Sequence, residues 1–222
     1  MKTVQLGYGQ FAQDWFVNCV LDGKDNGYFL DVGCGTSDLP ADQVPIFAMS
    51  NTYGLEKYKK WKGVAIDCDT LYFEIAQKHR NSVVCADLLK TNINSILQEK
   101  MAPEHMDYLS LDVDAAQRKV FDELDFDRFS FSVITYEHNY SLELQNPESI
   151  YKGDKEYSRN KFEKLGYKLL FGNVGISKQE CIEDWWVSDE VYQRWSHLPV
   201  LEDNCTVEEI IKLFIKDQAK NE

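Results

Sequence analysis

The 222-residue chain is 44% hydrophobic, enough to bury a substantial core, and no stretch approaches the roughly 20 consecutive apolar residues of a membrane helix. Its 37 acidic against 24 basic residues give a net charge of -13, a field that repels a polyphosphate backbone, so neither nucleic acid nor membrane is an expected partner. The densest basic run, KYKKWK at 57–62, reads as easily as a solvated helix face.

The opening MKTVQLGYGQ has no apolar core of a signal peptide. Cys19, Cys34, Cys68, Cys85, Cys181 and Cys205 are scattered, without a CxxC pair or histidines at zinc-ligand spacing. Both features point to reduced thiols and a cytoplasmic protein.

In chain order, residues 1–27 carry an N-terminal helix with Phe11, Trp15 and Cys19 at helical spacing. Short apolar runs at 28–32, 63–66, 82–85, 107–113 and 130–136 follow as strands. Between them Leu71, Ile75 and His79, and then Ala116, Val120 and Leu124, repeat with the helical period. Strand and helix alternating in this way imply a parallel sheet.

A short helix from about Ser158 stops at Gly166, a residue suited to a left-handed cap, and leads into strands at 167–171 and 183–187. Residues 202–222 form a C-terminal helix, opened by Thr206 and Glu209 as a capping box and striped by Val207, Ile210, Ile211 and Phe214. The expected architecture is α/β: a single domain over 1–222, with a Rossmann-like doubly wound seven-stranded sheet. That sheet is mostly parallel, ends in an antiparallel C-terminal hairpin and carries helices on both faces. Trp185, Trp186, Tyr192 and Trp195, in the aromatic stretch 172–201, belong either to the core or to a cover over an acceptor cleft.

The stretch with most chemical content is Tyr28-Phe29-Leu30-Asp31-Val32-Gly33-Cys34-Gly35-Thr36-Ser37-Asp38, an apolar strand entering a glycine turn. Glycines there admit close backbone approach to a ligand at the carboxyl end of a strand. GCGTSD lacks the third glycine of a dinucleotide fingerprint, and Asp31 precedes the loop on the strand face of Gly33, which favours S-adenosylmethionine over a nicotinamide cofactor. Asp67 ends the second strand, where a carboxylate can accept from both hydroxyls of a ribose. It or Asp69 could instead cap the following helix. Asp87 follows the third strand, either against an adenine amino group or as a turn carboxylate.

These blocks, in order, resemble the FkbM family of methyltransferases over roughly residues 8–190. The resemblance rests on 8–17 with its Gln13-Asp14 pair, LDVGCG at 30–35, Ser50-Asn51-Thr52-Tyr53-Gly54-Leu55-Glu56-Lys57, WKGVAID at 61–67, DYLSLDVD at 107–114 and ITYEHN at 134–139. The resemblance implies a class I methyltransferase that O-methylates a hydroxyl of a sugar or small metabolite, with a small-molecule or glycan acceptor. It places Ser50, Asn51, Thr52 and Glu56 beside the cofactor, joining Asp31, Gly33, Gly35, Asp67, Cys68, Asp87 and Leu88. The chain departs from the family at Asp67-Cys68, where an acid-proline pair is usual, at Asp114-Ala115-Ala116-Gln117, where Glu-Gly-x-Glu is usual, and at GCG, where GAN is more frequent.

An acceptor hydroxyl needs a base. Asp112 and Asp114 share a face if the fourth strand persists, and could bind a divalent cation that lowers an acceptor hydroxyl's pKa or could raise one another's pKa. Glu137 and His138 end the fifth strand facing opposite ways. His138 is the preferred base, its other reading being a structurally hydrogen-bonded strand-end histidine. A catalytically silent binding module and a nicotinamide-dependent reductase are the competing functions. Nothing in the sequence sets the oligomeric state.

Overall fold

The computed structural model describes residues 6–35, 49–146 and 148–221. Helix α1 (Gln13–Val20) leads to β1 (Tyr28–Val32), α2 (Tyr53–Lys59), β2 (Lys62–Asp67), α3 (Thr70–Ala76), β3 (Val83–Cys85), α4 (Ile93–Glu99) and β4 (His105–Leu111). A 3-10 turn (Asp114–Ala116), α5 (Gln117–Glu123), β5 (Ser130–Glu137), α6 (Tyr140–Gln145) and α7 (Asp154–Lys164) come next. The chain finishes with β6 (Lys168–Gly175), β7 (Cys181–Val187), α8 (Asp189–Trp195) and α9 (Val207–Asn221). The sheet runs β3-β2-β1-β4-β5-β7-β6, the doubly wound mixed order expected of the sequence. The chain packs as two compact units, Met1–Phe131 and Ser132–Glu222.

In the first unit β1 pairs in parallel with β2 and with β4, Leu30 lying opposite Val64 on one side and Leu109 on the other. Phe29, Leu30 and Val32 are completely buried, as a central parallel strand covered on both faces requires. The chain winds outward from β1 through β2 to β3 and then returns to β4 on the opposite side, so the winding direction reverses between β1 and β4. In such sheets the crevice for a ligand opens there, at the carboxyl ends of the strands.

Three details differ from expectation in this unit. The fourth strand, expected over 107–113, stops at Leu111, and Asp114 at φ +43° starts the 3-10 turn. In α3 the helical period is present but rotated by one residue: Leu71 is 59% exposed, while Tyr72, Ala76 and Arg80 face inward. Asp69 sets that phase by accepting from the backbone N–H groups of Leu71 (2.8 Å) and Tyr72 (3.1 Å). Helix α4, not expected from the sequence, is capped by Asn92, which accepts from Asn94 N (2.9 Å), and buries Ile93, Ile96 and Leu97.

In the second unit β7 pairs antiparallel with both β5 and β6, Trp186 lying opposite Ile134 and Leu169. Trp185 and Trp186 are wholly buried, against Phe171 (6.1 Å between ring centroids) and Phe162 (5.2 Å), so these two aromatics build core rather than a cover. Helix α7 starts at Asp154, four residues before the expected Ser158, and ends as expected. Gly166 at φ +88° lets its own N–H reach Glu163 O (3.0 Å) and Tyr167 N reach Phe162 O (3.0 Å), satisfying carbonyls of the last turn. Thr206 and Glu209 make the reciprocal cap of α9: Thr206 N donates to Glu209 Oε2 (2.8 Å) and Glu209 N to Thr206 Oγ1 (3.2 Å). Replacing Thr206 by alanine is expected to cost about 1 kcal/mol, read as a lower urea midpoint at unchanged slope.

Candidate functional site

The site begins where β1 ends. Gly33 has φ +88°, and a Cβ on it would lie 1.5 Å from the carbonyl oxygen of Asp112, so no side chain fits and the two strand exits touch through backbone. Gly33 N and Cys34 N both donate to Ile66 O (2.9 and 3.1 Å), and Asp112 N donates to Val32 O (2.9 Å), which ties the loop to β2 and β4. A Cβ on Gly35 would meet Asp67 Oδ2 at 2.4 Å. Instead Gly35 N donates to that oxygen (2.7 Å), while Asp67 Oδ1 accepts from Asp69 N (2.8 Å). Capping of α3 thus falls to Asp69, and the Asp67 carboxylate faces the glycine loop. Thr36, Ser37 and Asp38 of the expected loop lie outside the described residues.

Beyond β3, Asp87 accepts from Lys90 Nζ (2.7 Å) and Leu89 N (2.9 Å), which hold its carboxyl below the ordinary range. This is the bonding of a turn carboxylate. Leu88 is buried, and its carbonyl accepts from Lys119 Nζ (2.9 Å). Cys68 is exposed, its thiol pushed up by partial burial and by the charge of Asp67.

A residue absent from the sequence expectations organises the rest. The Arg80 side chain is completely buried one turn beyond α3. Nε donates to Glu56 Oε2 (2.7 Å), Nη1 to Ser50 Oγ (3.2 Å) and Nη2 to Thr52 Oγ1 (2.7 Å), with the guanidinium carbon 5.8 Å from the Phe29 ring centroid. Thr52 Oγ1 in turn donates to Asp31 Oδ2 (2.5 Å). Glu56 also accepts from Ser82 Oγ (2.8 Å) and Asn81 N (3.2 Å). Asn51 Nδ2 donates to Ser110 Oγ on β4 (2.9 Å). Asp31, Ser50, Thr52 and Glu56 are therefore gathered around one guanidinium, and Asn51 is joined to the neighbouring strand. The available signal was the period 72, 76, 80, which puts a cation on a buried helix face.

Charge does not balance in this cluster. Asp31 and Glu56 are two carboxylates around one guanidinium, and residues 36–48 contain no Lys or Arg. Burial raises the Asp31 carboxyl above its ordinary range even though Arg80 and the hydroxyls of Thr52 and Ser110 act to lower it. Asp31 Oδ1 and Asn51 Oδ1 are buried acceptors with no well-aligned donor among the described residues. The arrangement suits a ligand that brings a positive charge and hydrogen-bond donors.

No family model matches the chain, and no curated protein matches it. Among solved structures, a candidate O-methyltransferase from Klebsiella pneumoniae superposes with a TM-score of 0.51 at 12% identity, over 79% of this chain and 80% of that one. The fold is a methyltransferase fold. A candidate RNA methyltransferase from Pyrococcus horikoshii gives a TM-score of 0.46 at 11% identity, over 80% and 82% of the two chains. Fibrillarin from Aeropyrum pernix, solved with S-adenosyl-L-methionine, gives 0.44 at 11% identity, over 81% and 75%.

On this methyltransferase fold the expected acceptor residues fall in two places. Asp112 follows β4 beside Gly33, half-buried, and Asp114 is exposed in the 3-10 turn. The end of the strand at Leu111 removes the alternation that would have put both on one strand face. Gln117, to which the sequence reading assigned no role, holds this exit: its Nε2 donates to Leu111 O (2.9 Å) and its Oε1 accepts from Val113 N (2.9 Å). Among the described residues no group of three or more His, Cys, Asp or Glu could hold a metal ion.

In the second unit Glu137 ends β5 opposite Glu183. His138 is fully enclosed: Nδ1 accepts from Tyr140 N (3.1 Å), which places the ring hydrogen on Nε2, 3.4 Å from Asp184 Oδ1. Of its two readings, this geometry has the form of the strand-end structural histidine. Asp184 is itself buried and gripped by the Arg159 fork, Nε to Oδ2 at 2.7 Å and Nη2 to Oδ1 at 2.8 Å, with Asn173 N donating to Oδ1 (2.7 Å). Arg159 extends the same fork to Asp203 (2.8 and 3.0 Å).

Burial alone would raise the Asp184 carboxyl, but the His138 ring and Arg159 against it hold it well below the usual range. A depressed carboxyl contributes stability above its unfolded pKa of about 3.9 and loses it as pH falls through the folded value. Arg159→Met leaves that carboxylate buried without its fork. The expected loss is about 3–5 kcal/mol near neutral pH, shrinking in acid where the variant's Asp184 takes up a proton. Urea midpoints compared from pH 3 to 7 measure both.

Proposed function

We propose that the chain is an S-adenosylmethionine-dependent methyltransferase of the FkbM type, acting in the cytoplasm on a hydroxyl of a sugar or small metabolite. The observation that carries this reading is the buried cluster beside β1, with its surplus negative charge and its two acceptors that lack a well-aligned donor among the described residues. A cofactor with an ammonium and a sulfonium suits that electrostatics, whereas the pyrophosphate of a nicotinamide cofactor would meet like charge. The missing third glycine weighs against the reductase for an independent reason. Support for the FkbM type comes from the ordered SNT, LEK and DYLSLDV blocks: Ser50, Thr52 and Glu56 of the first two meet at Arg80, and Ser110 of the third bonds Asn51.

In this reading Asp31 and Asn51 receive the cofactor's amino group, and Asp67 accepts from its ribose hydroxyls through lone pairs left beside Gly35 N and Asp69 N. Gly33 and Gly35 allow its close approach, and Asp87 with Leu88 borders the base. Bound S-adenosylmethionine supplies an electrophilic methyl group on sulfur. The chain's own task is to align an acceptor oxygen with that methyl and to take its proton. We assign the proton to Asp112, which stands beside the loop and follows a strand exit braced by Gln117. His138, closed off by Tyr140 and Asp184, has a supporting part.

Two substitutions test this division. Asp67→Ala should weaken S-adenosylmethionine binding at least tenfold, or about 1.4 kcal/mol, by titration calorimetry; unchanged affinity removes Asp67 from the site. Asp112→Asn should keep cofactor affinity within about twofold and lower turnover about 100-fold or more. Incubation with methyl-labelled S-adenosylmethionine and a panel of glycans and hydroxylated metabolites identifies the acceptor. Tight cofactor binding with no label transferred to any acceptor would favour the silent binding module.

A further inference from the structure

Glu56 and Asp31 do not touch one another, yet both draw on Arg80, Glu56 directly at Nε and Asp31 through the Thr52 hydroxyl. Asp31 is faced by Thr52 ahead of α2, Asp67 of β2, Ser110 of β4, Cys34 of the glycine loop, and Arg80 and Tyr72 from α3 and its extension. Burial pushes the Cys34 thiol and the Tyr72 phenol far up, so both stay neutral across the working range. Asp67 is a second carboxylate and opposes ionisation of Asp31. Arg80 is the cation acting on Asp31 in this set, and its surroundings keep it charged.

We infer that Arg80 is a positioning residue for the cofactor site: its charge, shared between Asp31 and Glu56, sets the pH below which Asp31 ceases to hold a cation. The inference rests on the methyltransferase reading only for the identity of that cation. The physical basis is competition. A guanidinium drawn toward Glu56 stabilises the Asp31 carboxylate less, so the two acids act on Asp31 in opposite senses through one group. When Asp31 takes up a proton it loses its attraction for an ammonium, so affinity for the cation falls as pH falls. Because burial has already raised Asp31, that loss begins above the ordinary carboxylate range of about 3.9.

The test is the titration of the Asp31 side-chain carboxyl, followed by carbon NMR on protein labelled at aspartate, with Asp31→Asn to assign the signal. Arg80→Met should move the midpoint up by about 1–3 pH units, and Arg80→Lys should hold it within about half a unit of wild type. Glu56→Gln, which frees the guanidinium, should move it down. Opposite shifts are the decisive sign, since general loosening of the site moves both variants the same way.

Midpoints unchanged, or shifted together, would overturn the assignment. If Arg80→Met does not fold, the Glu56→Gln direction with the Arg80→Lys value decides alone. In parallel, S-adenosylmethionine affinity measured from pH 5 to 8 should track each midpoint. A wild type that binds no S-adenosylmethionine would sink the proposed function and leave the Arg80 result standing by itself.

Discussion

A guanidinium with no exposure to water is the constraint around which the first half of this protein is arranged. Removing such a charge from solvent costs several kcal/mol unless its donors are met by well-placed acceptors. Arg80 is met by Ser50, Thr52 and Glu56, all from one short stretch leading into α2. That stretch belongs to no named strand and is preceded by an isolated bridge between Met49 and Gly9. Its position follows from the need to surround the cation, and through Thr52 it is brought against Asp31 in the central strand. A segment that would otherwise be a loop and a short helix becomes one wall of this buried cluster.

The second unit solves a similar problem differently. Arg159 is less enclosed and divides its planar fork between Asp184 and Asp203, with His138 closing the far side of Asp184. Here the carboxylate is the most deeply buried member and the cation sits toward the surface. Two bidentate pairs fix the guanidinium plane, which suits a scaffold role. Among the described residues, the cluster around Arg80 leaves Asp31 Oδ1 and Asn51 Oδ1 without a well-aligned donor, a costly arrangement for a scaffold and a useful one for binding.

How much of this was legible beforehand follows from the range of the forces involved. Strands β1, β2 and β5 were readable because a central strand covered on both faces must be apolar throughout. Gly166 and the Thr206–Glu209 pair were readable because caps are satisfied within a few residues. The glycine loop showed its backbone requirement directly, and a Cβ at Gly33 has no room. Arg80 was not legible, since its partners lie more than twenty residues away and a lone arginine near a helix end ordinarily faces water. The inward face of α3 was misplaced by one residue because the Asp69 cap sets its phase and Leu71 is an exposed apolar residue. His138 was ambiguous because strand alternation tells which way a side chain points and not what waits there, in this case Asp184.

Asp67 and Asp69 are neighbours but one in sequence, and they divide two tasks that a single aspartate often combines. Asp69 starts a helix; Asp67 spends its oxygens on the glycine loop and the turn. The secondary structure at this corner therefore does not depend on the side chain that faces the glycine loop. Such a separation lets a lineage change the acid beside the glycine loop while the helix start next to it is inherited intact.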